Sequence, residues 1–198
     1  MQFVSEKYEA IVIGTSAGGL FALSTLLEAL PAAYPLPVMV VQHRSKDQRD
    51  LLEEVLQNKC RVRIKQADEK EKIAAGSVYI APPDYHLLVE KNKTFSLSAD
   101  EPVRYSRPSI DVLFETAAMV YKKELAGIIL TGASNDGTAG LLTIKKCGGF
   151  TIAQDPAEAQ FPYMPKSAIA AEAISEVLTL SEIQTFLLHI NTPRNEKQ

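Results

Sequence analysis

The chain has 198 residues, 46% hydrophobic and 23% charged, a length and balance that suit one domain with a substantial buried core. Its formal net charge of -3 at pH 7 argues against nucleic acid as a partner, because a mildly acidic chain gains nothing from neutralising phosphates. The two cysteines lie far apart, which argues against a disulfide framework and against a zinc site. The sequence shows neither a signal peptide nor an apolar stretch of about 20 residues, so we expect a cytoplasmic protein with no membrane insertion.

The first half of the chain alternates between short apolar runs and amphipathic stretches, as expected when strands and helices follow one another. Strands are predicted at residues 10–13, 38–41, 61–65 and 78–80, and helices at 20–30 and 47–57. Two β-leaning runs, 86–90 and 94–98, then flank Lys91-Asn92-Lys93 and predict an antiparallel hairpin.

After the hairpin and a loop at 104–108, Ser109 is predicted to cap the N-terminus of a helix that has Asp111 in its first turn. The remaining strands are predicted at 127–130, 150–153 and 177–180, and the remaining helices at 137–146, 167–172 and 183–190, before a polar tail at 191–198. This alternation predicts an α/β fold with a doubly wound, mostly parallel sheet, helices on both faces and a short antiparallel hairpin. We expect residues 1–198 to form a single domain with its core at about 8–190.

Loops that follow strands matter most in such a fold, because ligands bind beyond the carboxyl ends of parallel strands. The first of these loops, Gly14-Thr15-Ser16-Ala17-Gly18-Gly19, joins the first strand to its helix. Ser16 stands where a dinucleotide-binding G-x-G-x-x-G loop has its middle glycine, so a side chain occupies the place of a phosphate. The same residues match the G-x-S-x-G pattern of a nucleophile elbow, which makes Ser16 a candidate nucleophile.

A histidine follows the second buried run, in the segment Gln42-His43-Arg44. A histidine that leaves a neighbouring parallel strand can reach the Ser16 hydroxyl and act as a general base. The alternative is that the His43 side chain only packs at the end of its strand. His86, at the start of the hairpin, is a rival base, and His189 lies on the apolar face of the last helix.

The third unusual loop is Thr131-Gly132-Ala133-Ser134-Asn135-Asp136-Gly137. Asp136 lies between a strand and a helix, where a carboxylate can orient the imidazole of a catalytic histidine or cap the helix, and the two roles are compatible. Candidates for an oxyanion hole are the backbone amides of the first and third loops, at Ala17, Gly18, Ala133, Ser134 and Asn135.

Taken in order, the segments IGTSAGG, VVQHR and ILTGASNDG resemble the catalytic domain of the bacterial chemotaxis protein-glutamate methylesterases. The segments GSVYIAPPDYHLL, RPSIDVLF and AQDPAEAQFPYMPKSAI are also similar to this family, so the resemblance extends from about residue 10 to 180. It implies Ser16 as nucleophile, His43 as base and Asp136 as orienting carboxylate. The order Ser, His, Asp along the chain differs from that of the α/β-hydrolases, in which the acid precedes the histidine.

The resemblance implies a serine hydrolase that removes methyl esters from glutamate side chains on the cytoplasmic helices of methyl-accepting chemoreceptors, and that also deamidates selected glutamines. Neither a metal nor a cofactor is expected. About nine residues precede the first strand, so we expect no N-terminal receiver domain of the kind the usual enzyme carries, and regulation through a separate protein in trans. Ala17 replaces a common threonine and Ala133-Ser134 a common Met-Gly, changes that spare the triad but alter the pocket wall.

Two other functions remain open at this point. One is a binding or signalling module without catalysis, which would hold an acidic helix or a nucleotide-like ligand at the loop that contains Ser16. The other is a broad carboxylesterase that acts on small esters. Arg104 and Arg107 are candidates for steering an acidic helix toward the site, with structural ion pairing as the alternative.

Overall fold

The computed structural model describes residues 8–44 and 51–190. In chain order these residues form β1 (Ala10–Thr15), α1 (Gly19–Leu27), β2 (Val38–Gln42), α2 (Leu52–Gln57), β3 (Arg63–Gln66), β4 (Ser77–Ile80), β5 (His86–Val89), β6 (Phe95–Ser98), α3 (Ile110–Tyr121), β7 (Leu125–Ile129), α4 (Thr138–Lys146), β8 (Phe150–Gln154), α5 (Tyr163–Ala170), β9 (Glu176–Leu178) and α6 (Leu180–His189). A short 3₁₀ helix, Lys122–Glu124, joins α3 to β7.

Seven of these strands form one parallel sheet in the order β3-β4-β2-β1-β7-β8-β9. β5 and β6 pair antiparallel in a separate two-stranded sheet. β1 lies at the centre, because the chain adds β2 on one side of it and returns much later to add β7 on the other. The carboxyl ends of β2, β1 and β7 therefore flank the point where the strand order reverses, which is where open α/β sheets bind ligands.

Helices cover both faces of the parallel sheet because its central strand is apolar on both sides. All six residues of β1 are buried. Ile11 and Ile13 pack into a hydrophobic cluster with side chains of α1 and α6, whereas Val12 packs into a second cluster with side chains of α3, α4 and α5. This arrangement confirms the predicted doubly wound sheet with helices on both faces and a short antiparallel hairpin.

Three predicted boundaries near the end of the chain are wrong by two to four residues. The helix predicted at 167–172 begins instead at Tyr163, because Pro165 lies in its first turn, where a missing N–H breaks no helical hydrogen bond. The strand predicted at 177–180 ends at Leu178, and the helix predicted at 183–190 begins at Leu180. Both differences arise because Thr179 caps α6 and forms a capping box with Glu182.

Two predicted segments fall wholly or partly outside the described residues. Residues 52–57 of the helix predicted at 47–57 form α2, and residues 47–50 lie outside, as does the polar tail predicted at 191–198.

Within the described ranges, no helix combines the length and the apolar character needed to cross a bilayer. That residues 1–198 form a single domain stays a prediction.

Candidate active site

Ser16 and His43 leave adjacent strands at the same edge of the sheet. Thr15 of β1 pairs with Gln42 of β2, so Ser16 and His43 are each the first residue beyond a paired position. The backbone N–H of His43 donates to the carbonyl oxygen of Thr15 at 3.0 Å, which joins the two loops directly. Both residues line a cavity of about 550 Å³, together with Ala17 and Gly18.

The loop that carries Ser16 is held by its backbone. The Ser16 N–H donates to the carbonyl oxygen of Thr131 at 3.0 Å, and the Gly19 N–H donates to the Ser16 carbonyl oxygen at 2.9 Å. The left-handed residue of the loop is Gly18, with φ 79°, and a Cβ added there would lie 2.8 Å from Oε1 of Gln160. The φ angle of Ser16 is not positive. The loop therefore differs from a nucleophile elbow, in which the nucleophilic serine itself occupies the strained turn.

Gln42 connects the two loops with one amide group. Its Nε2 donates to the carbonyl oxygen of Ser16 at 2.8 Å and to that of His43 at 3.1 Å. Because one rigid amide binds both carbonyl oxygens, it fixes how far apart the backbones of Ser16 and His43 lie. Sequence reasoning missed this residue, although its place beside His43 in the VVQHR segment was a signal.

Replacing Gln42 with methionine is expected to lower kcat/KM for ester hydrolysis about tenfold to a hundredfold, because the two carbonyl groups lose their common donor. The free energy of unfolding is expected to fall by about 1–2 kcal/mol, measured by urea denaturation. The matched control is Gln184→Met, since Gln184 Nε2 also donates to a backbone carbonyl, that of Thr25 at 2.7 Å. The control is expected to lose similar stability and to keep its activity. Equal activities in the two variants would show that Gln42 serves only the fold.

His43 and Asp136 form a direct hydrogen bond between the second and third loops. His43 Nε2 lies 2.8 Å from Oδ2 of Asp136, whose side chain is fully buried, whereas the His43 side chain is 11% exposed. Since an ionised carboxylate only accepts, the hydrogen belongs to Nε2, and Nδ1 keeps the lone pair. Any proton that His43 removes from another group must therefore go to Nδ1.

Asp136 also caps the N-terminus of α3. Oδ1 accepts hydrogen bonds from the Ser109 hydroxyl at 2.9 Å and the Asp111 N–H at 3.0 Å, and Oδ2 accepts from the Ile110 N–H at 2.7 Å. Burial by itself raises the pKa of Asp136, but the hydrogen bonds from His43, Asp111 and Ile110 outweigh it and hold the pKa below its usual value. The carboxylate is thus kept ionised where it meets the imidazole.

A second buried carboxyl, that of Asp111, lies next to Asp136. Burial raises the pKa of Asp111; the Gly140 N–H and Arg104 oppose this effect, and the charge of Asp136 adds to it. The pKa values of the two neighbouring carboxyl groups are therefore shifted in opposite directions, and Asp136 is the one favoured as the anion.

The Nδ1 atom of His43 has a neighbour that sequence reasoning did not find. The hydroxyl of Ser106, in the loop before α3, lies 3.4 Å from Nδ1. Within the described part of the chain, no hydrogen bond joins the Ser16 hydroxyl to His43. The contact depends on the path of a loop, and no pattern in the sequence signals it.

The other two histidines have structural partners. His86 is buried; its Nδ1 accepts from the Ser109 N–H at 3.2 Å, and its Nε2 donates to the Glu101 carbonyl oxygen at 3.1 Å. Both ring nitrogens are therefore occupied by backbone. Exposed His189 is bonded through Nδ1 to the carbonyl oxygen of Thr185, one turn earlier in α6.

The amides at Ala17 and Gly18 are the better placed of the oxyanion candidates. Both residues line the cavity, and neither N–H has an acceptor within the part of the chain that the structure describes. Ala133, Ser134 and Asn135 do not line this cavity as the described residues form it. The Ser134 hydroxyl instead accepts from the Asp136 N–H at 3.3 Å.

The two arginines form the ion pairs that the sequence left as an alternative. Arg104 Nε donates to Asp111 Oδ2 at 2.9 Å, and Arg107 makes two hydrogen bonds to Asp84 Oδ1. Neither arginine lines the cavity formed by the described residues. Across residues 8–44 and 51–190, no group of three or more histidine, cysteine or acidic side chains could hold a metal ion.

Comparison with known proteins gives concordant findings. A family model described as CheB methylesterase matches residues 11–187. A relative from Leptospira interrogans, provisionally named protein-glutamate methylesterase/protein-glutamine glutaminase, is 48% identical over 97% of this chain and 100% of its own length. The protein-glutamate methylesterase/protein-glutamine glutaminase of Chromohalobacter salexigens is 39% identical over 93% of this chain and 52% of its own length. The chain thus spans the whole of one relative and about half of the other.

A solved structure agrees with the sequence comparisons. The crystal structure of the Thermotoga maritima CheB methylesterase catalytic domain matches with a TM-score of 0.88 and 33% sequence identity. The match covers 93% of this chain and 99% of that one.

Proposed function

This chain belongs to the CheB methylesterase family, and on that basis we propose that it hydrolyses methyl esters of glutamate side chains in chemoreceptors by a Ser-His-Asp mechanism. Ser16 is the nucleophile, His43 the general base and Asp136 the carboxylate that orients the imidazole. The observation that carries the proposal is the 2.8 Å hydrogen bond between His43 Nε2 and the buried Asp136, at the rim of the cavity that Ser16 lines.

In the acylation step, Ser16 Oγ attacks the γ-carbonyl carbon of the methylated glutamate while its proton passes to His43 Nδ1. The tetrahedral oxyanion accepts hydrogen bonds from the N–H groups of Ala17 and Gly18. The bond between the carbon and the methoxy oxygen then breaks, and the Nδ1 proton passes to the departing methoxy oxygen, which leaves as methanol. The product is an ester of Ser16 with the glutamyl side chain.

In the deacylation step, His43 Nδ1 takes a proton from water, whose oxygen attacks the same carbonyl carbon. The bond to Ser16 Oγ breaks, the Nδ1 proton returns to Oγ, and a glutamate side chain is released. Throughout, Asp136 keeps the hydrogen on Nε2 and stabilises the imidazolium that forms twice in each cycle. The chain's own residues supply every group that these steps require.

The cavity has features that suit an ester on an acidic helix. Leu20, Phe21 and Val55 present apolar surface to it, which fits the uncharged methyl ester, and Lys59 is a cation at the same cavity. We propose that the substrates are cytoplasmic helices of chemoreceptors, that selected glutamines are deamidated by the same route, and that a separate protein regulates the enzyme in trans.

The test is release of methanol from a methylated receptor cytoplasmic fragment, compared with hydrolysis of a p-nitrophenyl ester by the same preparation. The proposal predicts that methanol release is stoichiometric with ester loss and that the receptor is preferred in kcat/KM. Preference for small esters would indicate a broad carboxylesterase. Absence of both turnover and labelling by a fluorophosphonate would indicate a binding module without catalysis.

A further inference from the structure

The loop before α3 contains a tight turn in a conformation that non-glycine residues rarely adopt. Val103 and Ser106 are joined by two backbone hydrogen bonds, N–H to carbonyl oxygen in both directions, at 3.1 and 2.9 Å. The two residues between them, Arg104 and Tyr105, have φ angles of 49° and 64°. Such a two-residue turn is normally built from glycine, asparagine or aspartate, so arginine and tyrosine are strained in it.

Side-chain contacts on both sides hold this turn in place. Arg104 donates through Nε to Asp111 Oδ2 at 2.9 Å, and Asp111 Oδ1 accepts from the Gly140 N–H at 2.8 Å. On the other side, Arg107 donates to Asp84 Oδ1 and to the carbonyl oxygen of Asp100. A strained turn persists only where surrounding contacts enforce it, and such turns concentrate at functional sites.

The turn delivers one side chain to the candidate active site. The half-buried Ser106 hydroxyl lies 3.4 Å from His43 Nδ1, on the side of the ring opposite Asp136. Because Nε2 carries the hydrogen, the Ser106 hydroxyl donates to the Nδ1 lone pair. The long distance indicates a weak hydrogen bond, which Nδ1 can exchange for one from the Ser16 hydroxyl when substrate binds.

We propose that Ser106 is a positioning residue for His43, an inference that rests on the proposed function, in which His43 is the base. A hydroxyl can donate or accept, so Ser106 can hold the ring in both protonation states. It donates to Nδ1 in the resting enzyme and gives up the single lone pair of Nδ1 to the Ser16 hydroxyl for proton transfer. After Nδ1 takes the Ser16 proton, the Ser106 hydroxyl rotates and accepts from the Nδ1–H, which keeps the ring in plane until the proton passes to the departing methoxy oxygen.

The experiment compares Ser106→Ala and Ser106→Thr with the wild type in kcat and KM for methanol release, in the rate of fluorophosphonate labelling and in Tm. Ser106→Ala is expected to lower kcat and the labelling rate about tenfold, the value of one neutral hydrogen bond, with KM and Tm little changed. Ser106→Thr keeps the hydroxyl and is expected to restore kcat to within about threefold. The control is Ser96→Ala, at a half-buried serine of β6, which is expected to match the wild type.

Mapping the fluorophosphonate adduct by mass spectrometry separates this inference from the proposed function. An adduct on Ser16, together with slower turnover and labelling of Ser106→Ala, supports both the proposed function and the positioning role. An adduct on Ser16 with Ser106→Ala at or above the wild-type rate, or with threonine no better than alanine, overturns the positioning role alone. An adduct on Ser106 overturns the positioning role and the assignment of Ser16 together, while leaving an esterase in place.

Discussion

Replacing Ser16 with alanine is expected to lower turnover of a glutamate methyl ester by a factor on the order of 10⁶, the loss seen when a triad nucleophile is removed. The reason is that Ser16→Ala removes the atom that forms the acyl intermediate. The fold should be unaffected, since the hydrogen bonds that hold the Ser16 loop are made by the backbone N–H and carbonyl oxygen of Ser16. Turnover is measured as methanol release under single-turnover conditions.

The control for this variant is Ser181→Ala, at an exposed serine in the first turn of α6. It should retain full activity, and both variants should unfold at the temperature of the wild type. Retention of more than about a hundredth of the activity by Ser16→Ala would contradict the nucleophile assignment, because residual catalysis without a triad member is far smaller.

Replacing Asp136 with asparagine has the second largest expected effect, a loss of about 10⁴ in kcat. An uncharged amide cannot stabilise the imidazolium of His43 as the carboxylate does. The amide also has one acceptor oxygen for four donors, so in either orientation its NH₂ group faces a backbone N–H of Ile110 or Asp111. The rate loss is measured at neutral pH with the same ester.

The same variant should lose about 2–3 kcal/mol of unfolding free energy, because hydrogen bonds to a charged group at the start of α3 are weakened. The pKa of Asp136 is lowered in the fold, so its contribution is fully present above the unfolded value of about 3.9 and is lost as pH falls through the folded pKa. Urea denaturation should therefore show a gap between wild type and Asp136→Asn at pH 7 that narrows below about pH 4.

Asp155→Asn provides the comparison for both effects. The Asp155 carboxylate also accepts from a backbone N–H, that of Ala157 at 2.8 Å, but in a turn after β8. We expect its activity to stay within twofold of the wild type. A constant stability gap for Asp136→Asn across the acid range would mean that the carboxylate charge does not support α3.

The sequence predicted the sheet because its strands are continuous apolar runs. Residues 38–41 and 127–129 contain no polar side chain, and both runs lie in central strands that are covered on both faces. The three loops could be assigned to one edge of the sheet, since parallel strands present their carboxyl ends together. That argument brings Ser16, His43 and Asp136 to the same region without locating any single atom.

The wrong boundaries near the end of the chain involve residues whose effect on a helix depends on where in the helix they lie. Pro165 ends a helix in most settings but is harmless in a first turn, where the structure places it. The Thr179-x-x-Glu182 pattern was readable as a capping box, yet the apolar residues on either side of Thr179 favoured an extended strand.

The contacts made by the supporting residues of the site could not be derived from the sequence, although the VVQHR segment drew attention to the position of Gln42. Ser106 reaches His43 only because two residues adopt positive φ angles, and residue type argues against that conformation for both. Gln42 binds two carbonyl oxygens that come together only after β1 and β2 pair. Contacts of this kind depend on tertiary packing, which no local pattern encodes.

The central place of β1 has a consequence for biosynthesis. One edge of β1 can pair with β2 as soon as residue 42 has left the ribosome, but the other edge waits for residues 125–129 of β7. Until then a nascent chain exposes an unpaired strand edge, which invites association with other chains and makes folding slow. We expect stalled translation products that end before β7 to depend on chaperones and to lack esterase activity.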